Sequence, residues 1–188
     1  NVRLFNETRE ALERQTASAE VLQVISNSMA DAAPVFDVIL QRCSRLLRSI
    51  RMLLLRVGDD GQQHLWAAAG AGEPERAQAL FPMPLAGSST EKALSERRLV
   101  TFANAASDPD VPAGSRLAAQ QVGNHALAVA PLLWEGRGLG ALLVVREAGD
   151  AFDANEQALL TTFADQAVIA IQNARLFNET QEALERQT

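Results

Sequence analysis

The chain has one cysteine (Cys43), one lysine (Lys92) and two histidines (His64 and His125) among its 188 residues. A lone cysteine excludes a disulfide within the chain and any multi-cysteine metal site, and two histidines leave little for other metal chemistry. No apolar run is longer than "ALAVAPLLW", from Ala126 to Trp134. A membrane-spanning helix needs roughly 20 such residues. No basic segment followed by an apolar one opens the chain, so a signal peptide is not indicated. The formal net charge is −6, the pI is near 5.0, and the basic residues are scattered. A nucleic-acid partner would need a clustered positive footprint and is not expected. There is no Walker-type Gly-Lys-Ser/Thr to cradle a phosphate. The simplest expectation is a cytoplasmic module without a membrane segment of its own.

What the chain does have is a near-repeat at its two ends. "NVRLFNETREALERQT" at 1–16 returns as "NARLFNETQEALERQT" at 173–188, with only Val2 against Ala174 and Arg9 against Gln181 changed. Phe5, Leu12 and Ala19 recur every seven residues, and no Pro or Gly interrupts until after Met29, which predicts one helix over 1–29. A second helix is predicted in "DAAPVFDVILQRCSRLLR", where Pro34 suits the first turn. Val35, Ile39, Cys43 and Leu46 or Leu47 then share its apolar face, and Cys43 reads as a buried structural thiol. A strand from Ile50 to Val57 is followed by Asp60-Gly61, a hairpin signal, and by a returning strand, "QHLWAAAG". The stretch from Gly72 to Pro84 is irregular, with a short helix around "PERAQAL".

"SSTEKALSERR" predicts a helix with Ser88 and Glu91 at capping-box spacing, and "LVTFA" a short strand. A loop rich in Asn, Asp, Pro and Gly, "NAASDPDVPAG", leads to a helix, "SRLAAQQVG". "HALAVAPLLW" and "LGALLVVRE" around "EGRG" form the clearest hairpin, so the glycines of "GRGLGA" belong to a strand connection rather than a phosphate loop. Asp153 and Glu156 again stand at capping-box spacing and start a helix that runs to the end. Antiparallel hairpins with helices at both ends make an α+β domain. Neither histidine has partners in sequence that suggest a catalytic group.

This order resembles a GAF domain. "VFDVILQRCSRLL", "DPDVPAG", "APLLWEGRGLGALLVV" and "FDANEQALLTTFADQAVIAIQNARLF" carry the likeness, which spans roughly residues 20–175. The resemblance implies a central antiparallel sheet of five to six strands, with N- and C-terminal helices packed on one face and extending as coiled-coil linkers. It divides the chain into a linker or signalling helix (1–29), a sensor domain (30–172) and a C-terminal linker helix (173–188). It also implies a regulatory rather than enzymatic role, in a parent protein of sensor histidine kinase or nucleotide cyclase type.

On the last helix Phe163, Ala167, Ala170, Ala174, Phe177 and Leu184 follow alternating steps of four and three, broken at Gln181, as in a heptad seam. The part from Phe163 to Ala170 either packs on the domain's own sheet or joins a dimer seam. Beyond Asn173 the stripe, with Phe5 and Leu12 at the other end, is expected to pair two copies of the chain. The end repeat reads as the shared linker of a tandem array, with adjacent domains of the same chain as further partners and a similar domain expected after Thr188.

The family's usual ligand site, projected here, runs from "PLAGSSTEKAL" through "FANAASDPD" to His125. Ser88, Ser89 and Thr90 offer hydroxyls and N–H groups at a helix N-terminus, a seat for an anion. Arg116 and His125 add charge or hydrogen bonds, Trp66, Phe81 and Phe102 apolar walls, and Asn104 and Asp108 stand in the adjoining loop. The competing account is structural: Ser88 caps its helix, Asn104, Asp108 and Asp110 shape a turn, and the aromatics fill core. Cyclic-nucleotide-binding members carry an Asn-Lys pair and later an Asp-Glu pair, where this chain has Asn104-Ala105 and Glu156-Gln157. Bilin-binding members carry a cysteine where this chain has Gly123-Asn124-His125. Heme on a single histidine is disfavoured, and the cofactor, if any, stays unidentified. No catalytic residue or metal site is expected.

Overall fold

The computed structural model describes residues 2–12, 14, 32–71 and 74–187. Residues 2–12 are helical and exposed. The expected continuation of this helix through residue 29, Ala19 included, lies outside the described residues. The ordered elements are α1 (Ala33–Leu46), β1 (Arg51–Val57), β2 (Gln62–Ala69), α2 (Pro74–Gln78), β3 (Met83–Pro84) and α3 (Ser89–Glu96). They continue with β4 (Val100–Phe102), α4 (Ala113–Val122), β5 (His125–Trp134), β6 (Arg137–Glu147) and α5 (Ala154–Gln187). The six strands form one sheet in the order β3-β2-β1-β6-β5-β4, and every neighbouring pair is antiparallel.

Because side chains alternate across a strand, the central strands feed two cores at once. Met52 and Leu54 of β1, Ala126 and Ala128 of β5, and Leu142 and Val144 of β6 point to one face. There they meet Val35, Ile39, Leu40 and Cys43 of α1 and Leu160, Phe163 and Ala167 of α5. Leu53, Leu55, Leu127, Leu143 and Val145 point to the other, towards Ala93 of α3 and Ala119 of α4. Two bulges, between Leu54 and Leu55 and between Leu132 and Leu133, twist the long strands. Gly140 lies between them: a Cβ there would stand 1.8 Å from the Leu55 carbonyl oxygen, so only glycine lets β6 come this close to β1. The β5–β6 turn places Glu135 and Gly136 at φ 49° and 77°, the positive pair that a two-residue hairpin turn requires.

Of the two expected capping boxes, the one at α5 forms in full and the one at α3 in part. Asp153 Oδ1 accepts from Glu156 N (2.8 Å), and Glu156 Oε1 accepts from Asp153 N (3.1 Å). At α3, Ser88 Oγ accepts from Glu91 N (3.1 Å), while Glu91 Oε1 reaches Gly87 N (3.3 Å), one residue earlier than the full box would have it. α5 is 34 residues long, or about 51 Å at 1.5 Å per residue. Its first half lies on the sheet and its last ten described residues, 178–187, are exposed. No helix among the described residues is long and apolar enough to cross a membrane.

The seam drawn down α5 divides accordingly. Phe163, Ala167 and Ala170 are 1%, 0% and 2% exposed, inside the core that α5 shares with α1 and the sheet. Of the two alternatives left open for them, packing on the domain's own sheet is the one found, and the dimer seam is corrected to exclude them: no second chain reaches them unless this core opens. Ala174 and Phe177 are half-buried, and Leu184, Leu12 and Phe5 are exposed. Over the described residues the two copies of the repeat are both helical and share local contacts. Arg3 pairs with Glu7 (3.2 Å) as Arg175 does with Glu179 (2.9 Å), and Thr8 and Thr180 each donate to a carbonyl one turn back (2.9 Å).

Candidate functional site

On the sheet face turned away from α5, α3 and α4 cover a cavity of about 70 Å³. Its floor is Leu53, Leu55, Leu127, Leu143 and Val145, and Phe81 and Met83 close one side. Gln63, Ser89, Thr90 and Ser115 bring polar atoms to it, and Arg51 and His125 stand at the ends of their strands. Gln63, Ser89 and Thr90 are each 2% exposed. Gln63 Oε1 and Ser89 Oγ are buried without a hydrogen-bond partner. Buried polar groups are almost always paired, so two unpaired ones in the same lining mark this cavity. Ser89 N already donates to Ser115 Oγ (2.8 Å), and Glu91 N to Ser88 Oγ. Two of the first three N–H groups of α3 are thus taken, and the anion seat expected at this helix end is largely filled by the protein itself.

Four of the ten residues projected from sequence line the cavity: Phe81, Ser89, Thr90 and His125. His125 Nδ1 lies 2.8 Å from the Gly123 carbonyl oxygen and donates to it, which leaves Nε2 as the ring's other nitrogen. Burial, with the Arg51 charge adding to it, pushes the ring below its ordinary value of 6.5 and favours neutral imidazole. The other six stand elsewhere. Ser88 caps α3 and donates to the Leu85 carbonyl (2.7 Å). Phe102 is buried in the same core without reaching the cavity. Asn104 and Asp108 fold the loop after β4, where Asp108 N donates to Asn104 O (2.9 Å) and Asp110 N to Asp108 Oδ1 (2.9 Å). Arg116 clasps that loop from α4 by donating to Val111 O (2.8 Å).

Trp66 lies on the opposite face, its ring 5.3 Å from that of Phe36 in α1. The bulge there shifts the register of β2 against β1, so Trp66 and Ala67 both face the helices. Sequence reasoning also passed over Gln63. Its signal was present: it shares strand parity with Leu65, so a glutamine stands where the alternation calls for an apolar side chain.

A second feature ties the site to the helices. Arg146 follows the cavity-floor residue Val145 and is 0% exposed. It donates to Leu47 O at the end of α1 (3.1 Å), to Ala151 O (2.9 Å) and to both carboxylate oxygens of Glu156 in the first turn of α5. Its guanidinium lies 3.9 Å over the Phe152 ring, with Asp150 at 3.6 Å. Burial works to raise the Glu156 carboxyl, but the hydrogen bonds from Arg146 and Asp153 N, with the Arg146 and Arg48 charges, outweigh it and hold it below its ordinary value. A more open, polar hollow of about 310 Å³ lies beside this cluster, lined by Glu10, Arg14, Arg48 and Asp153 among others. None of the unpartnered buried atoms among the described residues lines it.

A family model for the GAF domain matches residues 29–172. The chain belongs to the GAF domain family. Solved structures agree on the fold. The GAF domain of a phosphoenolpyruvate-protein phosphotransferase from Coxiella burnetii superposes with a TM-score of 0.71 at 17% identity, covering 90% of this chain and 98% of that one. A domain assigned to a two-component sensor histidine kinase of Sinorhizobium meliloti 1021 gives 0.61 at 21% identity, covering 82% and 96%. The free methionine-R-sulfoxide reductase of Neisseria meningitidis, solved with its substrate, gives 0.69 at 17% identity, covering 89% and 93%. The GAF fold therefore also hosts an enzyme. No curated protein matches this chain. In this GAF domain Cys43 is fully buried on the helix face of the sheet, its thiol pushed up by desolvation, so no nucleophilic sulfur reaches the cavity.

Proposed function

We propose that this GAF domain is a non-enzymatic sensory relay: a small ligand in the cavity biases the geometry of the terminal helices, which pass the change to an output domain. The observation that carries this reading is the sharing of strands between the cavity and the helix face. Leu143 and Val145 touch the cavity, Leu142 and Val144 touch the core under α1 and α5, and Arg146 holds the start of α5 itself. A displacement of β6 by less than the width of a side chain thus meets both. Such a ligand transmits only if it binds one helix arrangement better than the other.

The near-identical ends support the second half of the reading. On this view residues 173–188 are the shared linker between successive domains of a tandem cytoplasmic array, and Phe177, Leu184, Phe5 and Leu12 pair two copies of the chain. The small cavity favours one competing reading, a spacer that binds nothing and only sets dimer geometry, since ligand pockets commonly measure roughly 300–1,000 Å³. A thermal-shift screen across nucleotides, heme and small metabolites separates the two. A true ligand at a hundredfold excess over its Kd adds about 2.7 kcal/mol of stability and is expected to change self-association in sedimentation. A flat response across a broad screen refutes the sensor reading and leaves the spacer.

A further inference from the structure

The two unpaired polar atoms in the cavity specify what kind of molecule would complete it. Gln63 Nε2 donates to the Pro84 carbonyl oxygen (3.4 Å), a partner that only the amide nitrogen can serve. That contact fixes the orientation of the amide and leaves Oε1 as a buried acceptor in need of a donor. Ser89 Oγ can both give and take a hydrogen bond and does neither within the protein. Besides Thr90, Ser115, Arg51 and His125 the rest of the lining is aliphatic or aromatic, and among the described residues no carboxylate is part of it. A cation would therefore find no counter-charge and would face Arg51. An anion would meet a helix end already used by Ser115 and Ser88, with the Glu91 carboxylate beside it. The volume of about 70 Å³ is roughly half that of an engineered apolar cavity of about 150 Å³ that holds benzene. Only a molecule with on the order of five non-hydrogen atoms fits without the walls moving.

We propose that the cavity takes a small neutral molecule whose head both donates and accepts a hydrogen bond, of the short-chain carboxamide or alcohol class. Its donor meets Gln63 Oε1, its acceptor meets the Ser89 hydroxyl, and its alkyl end lies on Leu127, Leu143 and Val145. The proposal rests on the reading of the cavity as a ligand site. It assigns Gln63 and Ser89, rather than the histidine or the helix N-terminus, as the residues that select the ligand.

Four probes of matched size test it on the whole 188-residue chain: propionamide, 1-propanol, propionate and propylammonium. Each is titrated while the backbone amide resonances of Gln63, Ser89, Leu127 and Val145 are followed by NMR. Propionamide and 1-propanol are expected to shift these resonances saturably, with a Kd on the order of 1 mM. Propylammonium, beside Arg51 and without a counter-charge, and propionate, at a helix end whose N–H groups are largely taken and beside Glu91, are each expected to bind at least about tenfold more weakly. Gln63→Leu and Ser89→Ala each remove one polar contact at little change in volume and are expected to weaken propionamide about tenfold. Propionate or propylammonium binding as tightly at the same resonances overturns the ligand class while the ligand-site reading stands. Silence from all four overturns both. Undiminished propionamide binding in both folded variants overturns the two assigned contacts, and the four-probe comparison needs neither variant to fold.

Discussion

Replacing Glu156 by Gln removes one charge while keeping the side chain's length and one of its carbonyl oxygens. Arg146 is fully buried and spends its donors on Leu47 O, Ala151 O and the two Glu156 oxygens. In Glu156→Gln the guanidinium keeps its two carbonyl partners and loses its main counter-charge. Breaking a buried ion pair from one side costs roughly 3–5 kcal/mol. Asp150, at 3.6 Å from Nε, remains as a second anion, which places the cost near the lower end, about 3 kcal/mol. For a chain of this size that is roughly 6–12 °C in Tm. Arg48, 3.9 Å from Glu156 and largely exposed, adds little.

The pair Arg146→Met and Glu156→Gln should not be additive, because once the guanidinium is gone no buried charge awaits a partner. The double variant is expected to lose at least about 1 kcal/mol less than the sum of the singles. Urea denaturation followed by circular dichroism gives all four stabilities. The pH dependence carries the same sign. Glu156 binds its proton less readily folded than unfolded, so its contribution is whole above the ordinary value of 4.5 and is lost as the pH falls below that through the folded value. Glu156→Gln should lack that acid loss. A cost under about 1 kcal/mol, or additivity within about 0.5 kcal/mol, would refute the account of Arg146 as a buried charge that depends on Glu156.

Three further outcomes follow from the geometry. Gly140→Ala forces β6 away from the Leu55 carbonyl and should cost about 3–5 kcal/mol, read as the shift in urea midpoint; a change within 1 kcal/mol would mean that the strands separate freely there. Phe177→Glu and Leu184→Glu should weaken self-association in sedimentation while leaving the circular dichroism spectrum unchanged, and a monomer in the unsubstituted chain would end the pairing proposal. His125 is harder to protonate folded than unfolded, so stability should fall as the pH drops below 6.5 through the folded value, and His125→Asn should lack that portion.

Local rules were enough for much of the fold. The helix caps at Ser88 and Asp153, the turn at Glu135-Gly136 and the alternation in β1, β5 and β6 are short-range patterns, and each is visible in a window of a few residues. The candidate site was less legible because long-range contacts build it. Nothing near Ser89 announces that Ser115 will take its N–H, and nothing in "VVREAGD" announces that Arg146 will be buried under Phe152. The stripe from Phe163 to Leu184 was legible as apolar and as leaving the domain near Asn173, but which partner its first part meets was not. Burial against the sheet and exposure beyond it share one heptad pattern, and only the length of the sheet decides where one becomes the other.

The position of Trp66 gives the chain an optical reporter. There is no tyrosine, and the only other tryptophan, Trp134, ends β5 at the hairpin tip. In Trp134→Phe, ultraviolet emission would come from one indole, tilted against Phe36 on the helix face. No tryptophan lines the cavity. A molecule entering it cannot quench that indole by touch, so any change in colour or intensity on filling the cavity would record movement carried through the sheet.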